Sequence, residues 1–313
     1  MDWTSRIGRR LKLRDLHILL TVAQCGSMAN AARLLAVSHP VISKSVAALQ
    51  STLGVRLVDR TPKGIELTEF GRALVKGGVA VFDDLRASVR EIEFLSDPSA
   101  GELSVGVSEP VAAGLLPAVI KILARTHPRF TFQVEQGDAR TLQQRDLRER
   151  KLELVIARSM PRDRDPDLRA EILFHEQLLV VAGANSKWAR RRRVELRQLA
   201  DEPWILSPLE TADDSPVVAA FRAAGVPLPR ARVLAYSLPL RASLLASGEF
   251  LTVVPKSVLD LNGRHLSLRA LPVDLPRWRS PVAIITLKNR SASPAVQVFI
   301  QAAHEAAKLL GRS

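Results

Sequence analysis

Residues 26–50 of this 313-residue chain read GSMANAARLLAVSHPVISKSVAALQ, and this stretch decides the fold of the N-terminal part. Gly26 is suited to ending one helix, and Ser27 is suited to capping the next. The alanines that follow keep the second helix narrow, so that another helix can cross it closely. Ser38 and Pro40 then open a third helix, because serine is a good N-cap and proline fits the first turn. The stretch therefore predicts two short helices joined by a tight turn.

The second helix of this pair has two different faces. Ile42, Val46 and Leu49 recur at the spacing of one buried helix face. The opposite face is low, polar and cationic, and it consists of His39, Pro40, Ser43, Lys44 and Ala47. A helix-turn-helix inserts such a helix into the DNA major groove, where base edges and phosphates accept hydrogen bonds. The pattern leaves one alternative open, which is the solvated surface of an ordinary helix hairpin.

The segment that follows, LGVRLVDRTPKGIELTEFG at residues 53–71, predicts a hairpin. Its strand-like pieces, residues 56–59 and 64–67, flank the cationic turn Arg60-Thr61-Pro62-Lys63. A basic hairpin beside a recognition helix forms a wing that can contact phosphates or the minor groove.

Charge is distributed unevenly along the chain. The whole sequence holds 45 Lys and Arg against 32 Asp and Glu, a net charge of +13. Residues 1–64 hold ten of these basic residues and only three of the acidic ones, and therefore more than half of the net charge. A basic region beside a helix pair indicates a polyanionic partner such as nucleic acid. A generally arginine-rich composition is the alternative.

Several classes of protein are disfavoured by the sequence. Cys25 is the single cysteine, so neither an intrachain disulfide nor a thiolate metal cluster is expected. The start, MDWTSRIGRR, lacks the apolar segment of a secretory signal, and the longest apolar run, at 178–184, has only the length of a strand. The histidines show no metal-ligand spacing, and no phosphate loop or nucleophile elbow is present. We therefore predict a cytoplasmic protein without catalytic residues, metal or cofactor, and without a membrane partner.

The stretch from Gly26 to Gly71 resembles the N-terminal winged helix-turn-helix of the LysR-type transcriptional regulators. The matching features are Gly-Ser before an Ala-Ala helix, a Ser-x-Pro-x-x-Ser opening, Leu-Gly-x-x-Leu, a following Arg, and Leu-Thr-x-x-Gly, in an unbroken spacing. The resemblance implies that DNA contacts come from Ser38, His39, Pro40, Ser43 and Lys44 on the recognition helix, and from Arg60 and Lys63 on the wing. We add Ser27 as a further DNA-binding candidate.

Two of these positions depart from the family pattern. His39 stands where the family usually has glutamine, and Lys44 stands where arginine is commoner. Histidine can still donate or accept a hydrogen bond. DNA binding is therefore expected, whereas the base preference stays open.

Residues 68–95 are predicted to form one long helix that pairs two chains. Apolar residues recur along it at the a and d spacing of a coiled coil, and we assign dimerisation to Val75, Phe82, Leu85, Val89 and Ile92. Packing of this seam on its own domain is the alternative. A dimer would hold two recognition helices about 34 Å apart and would require a near-palindromic site. The family resemblance implies that tetramers are common.

Beyond this helix, SDPSAGEL at 96–103 has the composition of a hinge, and strand-like and helix-like segments then alternate. Alternation predicts α/β sheets with mostly parallel strands in two subdomains. This part resembles the family's effector domain, which is similar to periplasmic solute-binding proteins. The resemblance implies that the chain crosses between subdomains near 160–174 and returns near 268–278. The predicted parts are a winged domain (1–67), a linker helix (68–95), a hinge (96–101) and an effector domain (102–313), with subdomain I at about 102–170 and 275–313 and subdomain II at about 171–274.

Candidate effector-binding residues follow the predicted strands, because ligands in open α/β sheets bind beyond the carboxyl ends of strands. They are Ser108, Glu109, Arg158, Ser207 and Pro208. The alternative roles are a capping serine, a solvated glutamate and a paired arginine. Glu109 would repel an effector carboxylate and Arg158 would attract one, so the charge of the effector stays open.

The function predicted from the sequence is that of a LysR-type regulator that binds a near-palindromic operator and is controlled by a small-molecule effector in the cleft of its C-terminal domain. Its partners would be double-stranded DNA, the effector and further copies of itself, and RNA polymerase is another candidate. The alternative is a soluble small-molecule-binding protein or enzyme with a basic N-terminal extension.

Overall fold

The computed structural model describes residues 10–62, 64–158, 165–213, 215–273 and 279–311. The chain divides into two compact units, one that ends at Val89 and one that begins at Arg90. The fold class predicted from the sequence, a winged helix-turn-helix followed by a long helix and an α/β domain, is confirmed.

The N-terminal unit is built around three helices, which are α1 (Leu13–Cys25), α2 (Met28–Leu34) and α3 (His39–Leu53). All three contribute to one core that includes Leu19, Val22, Ala31, Ile42 and Leu49, each fully buried. The small side chain of Ala31 lets the neighbouring helices approach α2 closely, as the alanine-rich sequence predicts.

The predicted wing is a two-stranded antiparallel sheet of β1 (Val58–Thr61) and β2 (Gly64–Leu67). The first strand was predicted at residues 56–59 and begins at Val58 in the structure. The Gln50 side chain of α3 accepts a hydrogen bond from the Leu57 N–H at 2.8 Å, which ties the entry of the wing to α3. The Ile65 N–H donates to the Gly26 carbonyl at 2.9 Å, which ties the second strand to the end of α1.

The linker helix α4 spans Glu69–Ser96 and contains the residues predicted to pair two chains. Val75 is half-buried against the core of the N-terminal unit. The half-buried Phe82 ring lies 5.5 Å from the ring of His17 on α1. These two side chains therefore also have contacts within their own unit. Leu85, Val89 and Ile92 are exposed.

The C-terminal unit begins with three strands and the helices between them. In chain order they are β3 (Ala100–Val107), α5 (Glu109–Ala113), α6 (Leu115–Thr126), β4 (Arg129–Gln136), α7 (Ala139–Thr141) with a following π-helical turn (Leu142–Leu147), and β5 (Leu154–Ala157). The helical segment between β3 and β4 is broken at Gly114 into α5 and α6. A Cβ there would lie 2.6 Å from the Ser257 hydroxyl, so the glycine permits close packing at the break.

The second half follows a long strand, β6 (Leu168–Gly183). The later elements are a 3-10 turn (Leu196–Leu199), β7 (Trp204–Leu206), α8 (Pro216–Ala223), β8 (Ala231–Leu234), α9 (Leu238–Leu245), β9 (Leu251–Pro255), α10 (Lys256–Asn262), β10 (Leu268–Ala270), β11 (Arg279–Leu287) and α11 (Pro294–Gly311).

Within the described residues, the strands of this unit form one continuous sheet of nine. Its order is β4-β3-β5-β11-β6-β9-β7-β8, and β10 pairs with β6 outside this path. The ladders at both ends of the sheet are parallel, whereas those of β6 and β11 are antiparallel. Two parallel groups are thus joined by two long antiparallel strands, which differs from the mostly parallel sheets that the sequence predicts.

The crossing between subdomains differs from the predicted range of 160–174. β6 pairs with β11 as far as Gln177 and with β9 from Leu178 onward, so the chain changes subdomain inside one strand. The crossing lies later than predicted because β6, with 16 residues, runs through both subdomains. Subdomain I therefore extends to about 177 and not to about 170, and β11 leads back to it, since Arg279 pairs with Gln177.

Each subdomain has its own core. In subdomain I, α6 and α11 cover the sheet, with Leu103, Val119, Leu123, Phe299 and Ala303 buried. In subdomain II, Trp204 and Phe221 lie at the centre with their rings 5.5 Å apart, and the indole N–H of Trp204 donates to the Leu199 carbonyl at 2.7 Å. Two cores on one sheet leave the space between the subdomains free for a cavity.

Candidate functional site

Two residues in left-handed conformation separate the first three helices. Gly26, with φ of 61°, ends α1, and the Ser27 hydroxyl accepts a hydrogen bond from the N–H of Asn30 at the start of α2. Ala36, with φ of 52°, then reverses the chain so that Ser38 begins α3. This conformation costs a residue with a Cβ roughly 1–2 kcal/mol. The burial of α2 and α3 on each other offsets that cost.

The two faces of α3 separate as the sequence predicts. Ile42, Val46 and Leu49 are at most 1% exposed. On the other face Ser38, His39, Pro40 and Lys44 are exposed, and Ser43 is half-buried. Across the described residues, neither His39 nor Lys44 forms an ion pair or a side-chain hydrogen bond. Their donors are therefore free to bind an external partner.

The wing presents Arg60 at its surface, next to the turn that joins its strands. Lys63, the other predicted contact on the wing, lies outside the described residues. A Cβ on Gly64 would lie 2.5 Å from the Gly26 carbonyl oxygen, so glycine is required where the wing passes the end of α1. Ser27 is half-buried at this same end, with its hydroxyl engaged in capping α2. The wing is thus held against the helix pair at Gly26.

A second site is a cavity of about 590 Å³ in the C-terminal unit. It lies between the carboxyl ends of β3, β4 and β5 on one side and α9, β7 and β9 on the other. Four of the five predicted effector residues line it, namely Ser108, Glu109, Arg158 and Ser207. Pro208 does not line it and is exposed. β7 ends at Leu206, and Ser207, Leu209 and Glu210 of the segment that follows line the cavity.

Glu109 has a partner across the cleft that the sequence does not reveal. Its Oε1 accepts a hydrogen bond from the backbone N–H of Leu238, the first residue of α9. A carboxylate at this position also complements the positive end of the helix dipole. The Ser237 hydroxyl caps the same helix by accepting from the N–H of Leu240. Glu109 therefore joins the two subdomains at the edge of the cavity.

An arginine that sequence reasoning missed organises the opposite wall. Arg241, on α9, is only 5% exposed, and its Nη2 lies 3.1 Å from Oε2 of Glu210. The same guanidinium donates to the Ala235 carbonyl at 2.6 Å and to the Thr252 hydroxyl at 3.2 Å. The Ser207 N–H donates to Glu210 at 2.6 Å. Both charges are thus fully occupied, which is what a buried ion pair requires.

Arg158 and Ser108 differ from these paired groups. Nε of Arg158 and Oγ of Ser108 are buried, and within the described ranges neither atom has a hydrogen-bond partner. Burial holds the pKa of the Arg158 guanidinium below its ordinary value, and the nearby negative charges of Glu176 and Glu210 oppose that effect. Ser108 precedes α5 without capping it through its side chain.

Asp138 and Tyr236 also line the cavity and were not predicted from the sequence. Partial burial raises the pKa of the Tyr236 phenol, and the negative charges of Asp138 and Glu210 raise it further. The phenol is therefore a neutral hydrogen-bond donor at neutral pH. No sequence signal marks these residues, because they come from loops that meet only in the folded chain.

Within the described part of the chain, no group of three or more His, Cys, Asp or Glu residues is arranged to hold a metal ion. Among the same residues, no helix combines the length and the apolar character that crossing a membrane requires.

Comparison with known proteins gives matches along almost the whole chain. Residues 13–72 match the family model described as the bacterial regulatory helix-turn-helix protein, lysR family, and residues 96–308 match the LysR substrate binding domain. The chain is 27% identical over 302 residues to the uncharacterized HTH-type transcriptional regulator YdcI of Escherichia coli K12, covering 96% of this chain and 98% of that protein.

Solved structures share the fold. A full-length OxyR variant from Pseudomonas aeruginosa aligns with a TM-score of 0.66 at 23% identity, covering 96% of this chain and 95% of that one. Full-length CbnR in complex with its target DNA aligns with a TM-score of 0.56 at 24% identity, covering 95% of this chain and all of that one.

Proposed function

The chain belongs to the LysR family of bacterial transcriptional regulators, and we propose that it reads a near-palindromic duplex with paired α3 helices under the control of a small molecule in the cleft. Members of this family are regulators with a DNA-binding helix-turn-helix and an effector-binding domain, and they are not enzymes. The alternative of an enzyme with a basic extension therefore has no support.

The observation that carries the proposal is the open outer face of α3. Ser38, His39 and Lys44 are exposed at the N-terminal end of the helix, the end that leads into the major groove, and their side chains have no partner among the residues that the structure describes. Hydroxyl, imidazole and ammonium groups can donate to the acceptor-rich base edges and phosphates of DNA. CbnR, which shares this fold, has been crystallised with its target DNA, and this supports a DNA-binding role for the same face.

The wing extends this surface. Arg60 is exposed on β1, and we assign to it a phosphate contact beside the groove that α3 enters. The neighbouring Arg56 is paired with Asp59 at 2.9 Å, so part of its charge is already compensated. We keep Ser27, Pro40, Ser43 and Lys63 as further contacts of this proposal.

Two chains are needed to read a near-palindromic site. The half-sites would be centred about 34 Å apart, one helical turn of DNA. We assign the pairing of chains to the exposed apolar residues of α4, and we expect tetramers as a further level of assembly. We infer a cytoplasmic location from double-stranded DNA as the partner, and we propose RNA polymerase as a second macromolecular partner if the protein activates transcription.

The DNA-binding test compares variants on a duplex recovered by genome-wide mapping of bound sites. We expect the double variant Lys44→Ala/Arg60→Ala to bind that duplex more weakly at physiological salt. The slope of log K against log salt should fall by about 0.9 for each phosphate contact that is lost. Fluorescence anisotropy over a series of salt concentrations measures both quantities.

The matched control is Arg190→Ala, which removes an exposed arginine from the C-terminal unit. It should leave both the affinity and the salt slope unchanged. If the double variant bound the duplex as tightly as the parent protein, with the same salt slope, the assignment of α3 and the wing to DNA would be wrong.

A further inference from the structure

Residues 90–96 of the linker helix belong to the C-terminal unit, which begins at Arg90. Nη1 of Arg90 lies 3.0 Å from Oε1 of Glu153, the residue directly before β5. The Glu153 side chain is only 6% exposed and that of Arg90 is 31% exposed, so water screens this ion pair only in part. The pair joins the end of α4 to a buried carboxylate of subdomain I.

Glu153 is itself held in place by β3. Its Oε2 accepts a hydrogen bond from the Ser104 N–H at 3.1 Å, and its own N–H donates to the Ser104 carbonyl at 2.9 Å. The neighbours of Ser104 in the strand, Leu103 and Val105, are fully buried. One carboxylate thus connects α4 with a central strand of subdomain I. A buried carboxylate needs such partners, because burial without them is costly.

A row of aromatic rings joins the same two parts of the C-terminal unit. The half-buried Phe94 ring of α4 stacks on His127 with the ring centroids 6.5 Å apart. Phe130 lies 6.2 Å from His127 and 5.0 Å from Phe132. Phe132 lies 6.2 Å from Phe299, which is fully buried in the core of subdomain I. Aromatic pairs at these separations attract each other, so the row extends from α4 into that core.

Residues 96–101, whose composition predicts a hinge, are held by hydrogen bonds as well. The Asp97 N–H donates to the Glu93 carbonyl at 3.0 Å and continues the bonding of α4. The Asp97 carboxylate accepts from the Ser99 N–H at 3.2 Å and forms an ion pair with Arg129 at the start of β4. The chain therefore passes from α4 to β3 without a segment that lacks contacts.

We propose that the Arg90–Glu153 ion pair and the Phe94–His127 contact, together named the helix clamp, hold the end of α4 rigidly on subdomain I. Any turn of subdomain I then turns this end of the linker helix with it, and residues 96–101 do not bend. This inference rests on the proposed function in so far as it takes α4 to lead to the DNA-binding helix α3. It goes further by naming Glu153 as a positioning residue for control of DNA binding.

The first test is hydrogen exchange of the full-length protein without DNA or effector. In the segment predicted as a hinge, the N–H groups of Asp97, Ser99 and Ala100 are all hydrogen-bonded, that of Ala100 to the Asp97 carbonyl at 3.1 Å. We expect residues 96–101 to exchange at least about 10-fold more slowly than a synthetic peptide of the same sequence. Exchange at the rate of the peptide would overturn the proposal.

Variants of the ion pair connect this protection to the clamp. Arg90→Gln should speed exchange in residues 90–101 about 3- to 10-fold, because it removes a partly buried ion pair. Glu153→Gln should do the same while it keeps an acceptor for the Ser104 N–H. Arg90→Lys retains the charge and should keep most of the protection.

Arg86→Gln is the matched control, since it removes an exposed arginine one turn earlier on the same helix. It should leave the exchange of residues 90–101 unchanged. Unchanged exchange in both Arg90→Gln and Glu153→Gln, or equal acceleration in the control, would show that the ion pair does not hold the helix end.

The second test measures rigidity directly by double electron–electron resonance. Spin labels at Glu93→Cys on α4 and Lys121→Cys on α6 are placed in a Cys25→Ser background, and labelled chains are diluted with unlabelled ones. Both label sites are exposed. The distance distribution should be single and narrow, and addition of the operator duplex should leave it unchanged. Arg90→Gln should broaden it, an effect that a loss of overall stability alone does not produce.

A broad distribution in the parent protein, or one that shifts when the operator duplex is added, would refute the helix clamp and leave the proposed DNA interface intact. Failure of the α3 and wing variants to weaken DNA binding would refute that interface. It would leave the clamp intact, because neither the exchange experiment nor the distances in free protein depend on DNA.

Discussion

Gly71 lies in the first turn of α4, where that helix passes the backbone of Leu57. A Cβ at this position would lie 2.0 Å from the Leu57 carbonyl oxygen, too close for any side chain. The Thr68 hydroxyl accepts a hydrogen bond from the Gly71 N–H at 3.0 Å and donates one to the Arg56 carbonyl at 2.7 Å. This threonine and glycine therefore start the linker helix directly on the base of the wing.

Replacement of two glycines of α4 should have opposite effects on stability. Gly71→Ala forces the helix away from the wing and should lower the free energy of unfolding by about 1–3 kcal/mol. Gly77→Ala should raise it by about 0.5–1 kcal/mol, because nothing lies within 4 Å of the new Cβ and alanine favours the helix. Chemical denaturation followed by circular dichroism measures both changes. Equal stability of the two variants would contradict the close approach at Gly71.

The linker helix changes its role along its length. Near its start, Gly78 is buried, and a Cβ there would lie 2.9 Å from Cδ1 of Leu16 on α1. Beyond this contact, an apolar stripe runs along one side of α4 and is exposed in the single chain. Its residues are Val81, Leu85, Val89, Ile92 and Leu95, from 42% to 71% exposed. A stripe of this kind is typical of a surface that another helix covers.

Charges placed in this stripe should separate the chains. We expect Leu85→Glu/Val89→Glu to raise the dissociation constant of the dimer at least about 100-fold, because each side chain loses roughly 1.5–3 kcal/mol of burial. Analytical ultracentrifugation measures the change. Binding to a duplex with two half-sites should weaken in parallel.

Arg86→Glu is the control for this prediction, since it places the same carboxylate on the exposed flank of the helix outside the stripe. It should associate as the parent protein does. A double variant that kept its oligomeric state would show that other surfaces hold the chains together.

In the C-terminal unit as a whole, the two subdomains share a single sheet. β6 crosses between them, because it pairs with β11 as far as Gln177 and with β9 from Leu178 onward, and a change of angle must bend this strand. Hydrogen bonds also join the subdomains, among them one from the Leu238 N–H to Glu109, one from the Asn262 amide to the Ala113 carbonyl at 2.8 Å, and one from the Ser257 hydroxyl to Glu176 at 2.6 Å. A ligand can shift this arrangement only by binding one angle more tightly than another.

Coupling between ligand and operator must be reciprocal. The factor by which a bound effector changes operator affinity should equal the factor by which operator changes the affinity for that effector, commonly about 5- to 150-fold. Titration of the effector into free and operator-bound protein tests this equality. An effector affinity identical with and without operator would exclude control through the cleft.

The sequence by itself determined the local features of this protein. Helix caps and turns at Gly26, Ser27 and Pro40 and the buried spacing of Ile42, Val46 and Leu49 depend on neighbours a few residues away, so a single stretch contains the whole signal. The same holds for the ends of β3, β5 and β7, which pointed to Ser108, Arg158 and Ser207. Only the family resemblance, and no physical pattern, gave the arrangement of the two subdomains.

Tertiary structure alone decided what depends on residues far apart in the chain. Glu109 looked like a free carboxylate, but it bonds to α9, and Arg241 and Tyr236 became cavity residues only when that helix reached the sheet. Val75 and Phe82 fit a seam between chains by their spacing, and only the structure shows that both also pack within their own unit. Periodicity predicts which side chains share a face of a helix. The partner of that face depends on packing between segments distant in sequence, and no local pattern predicts it.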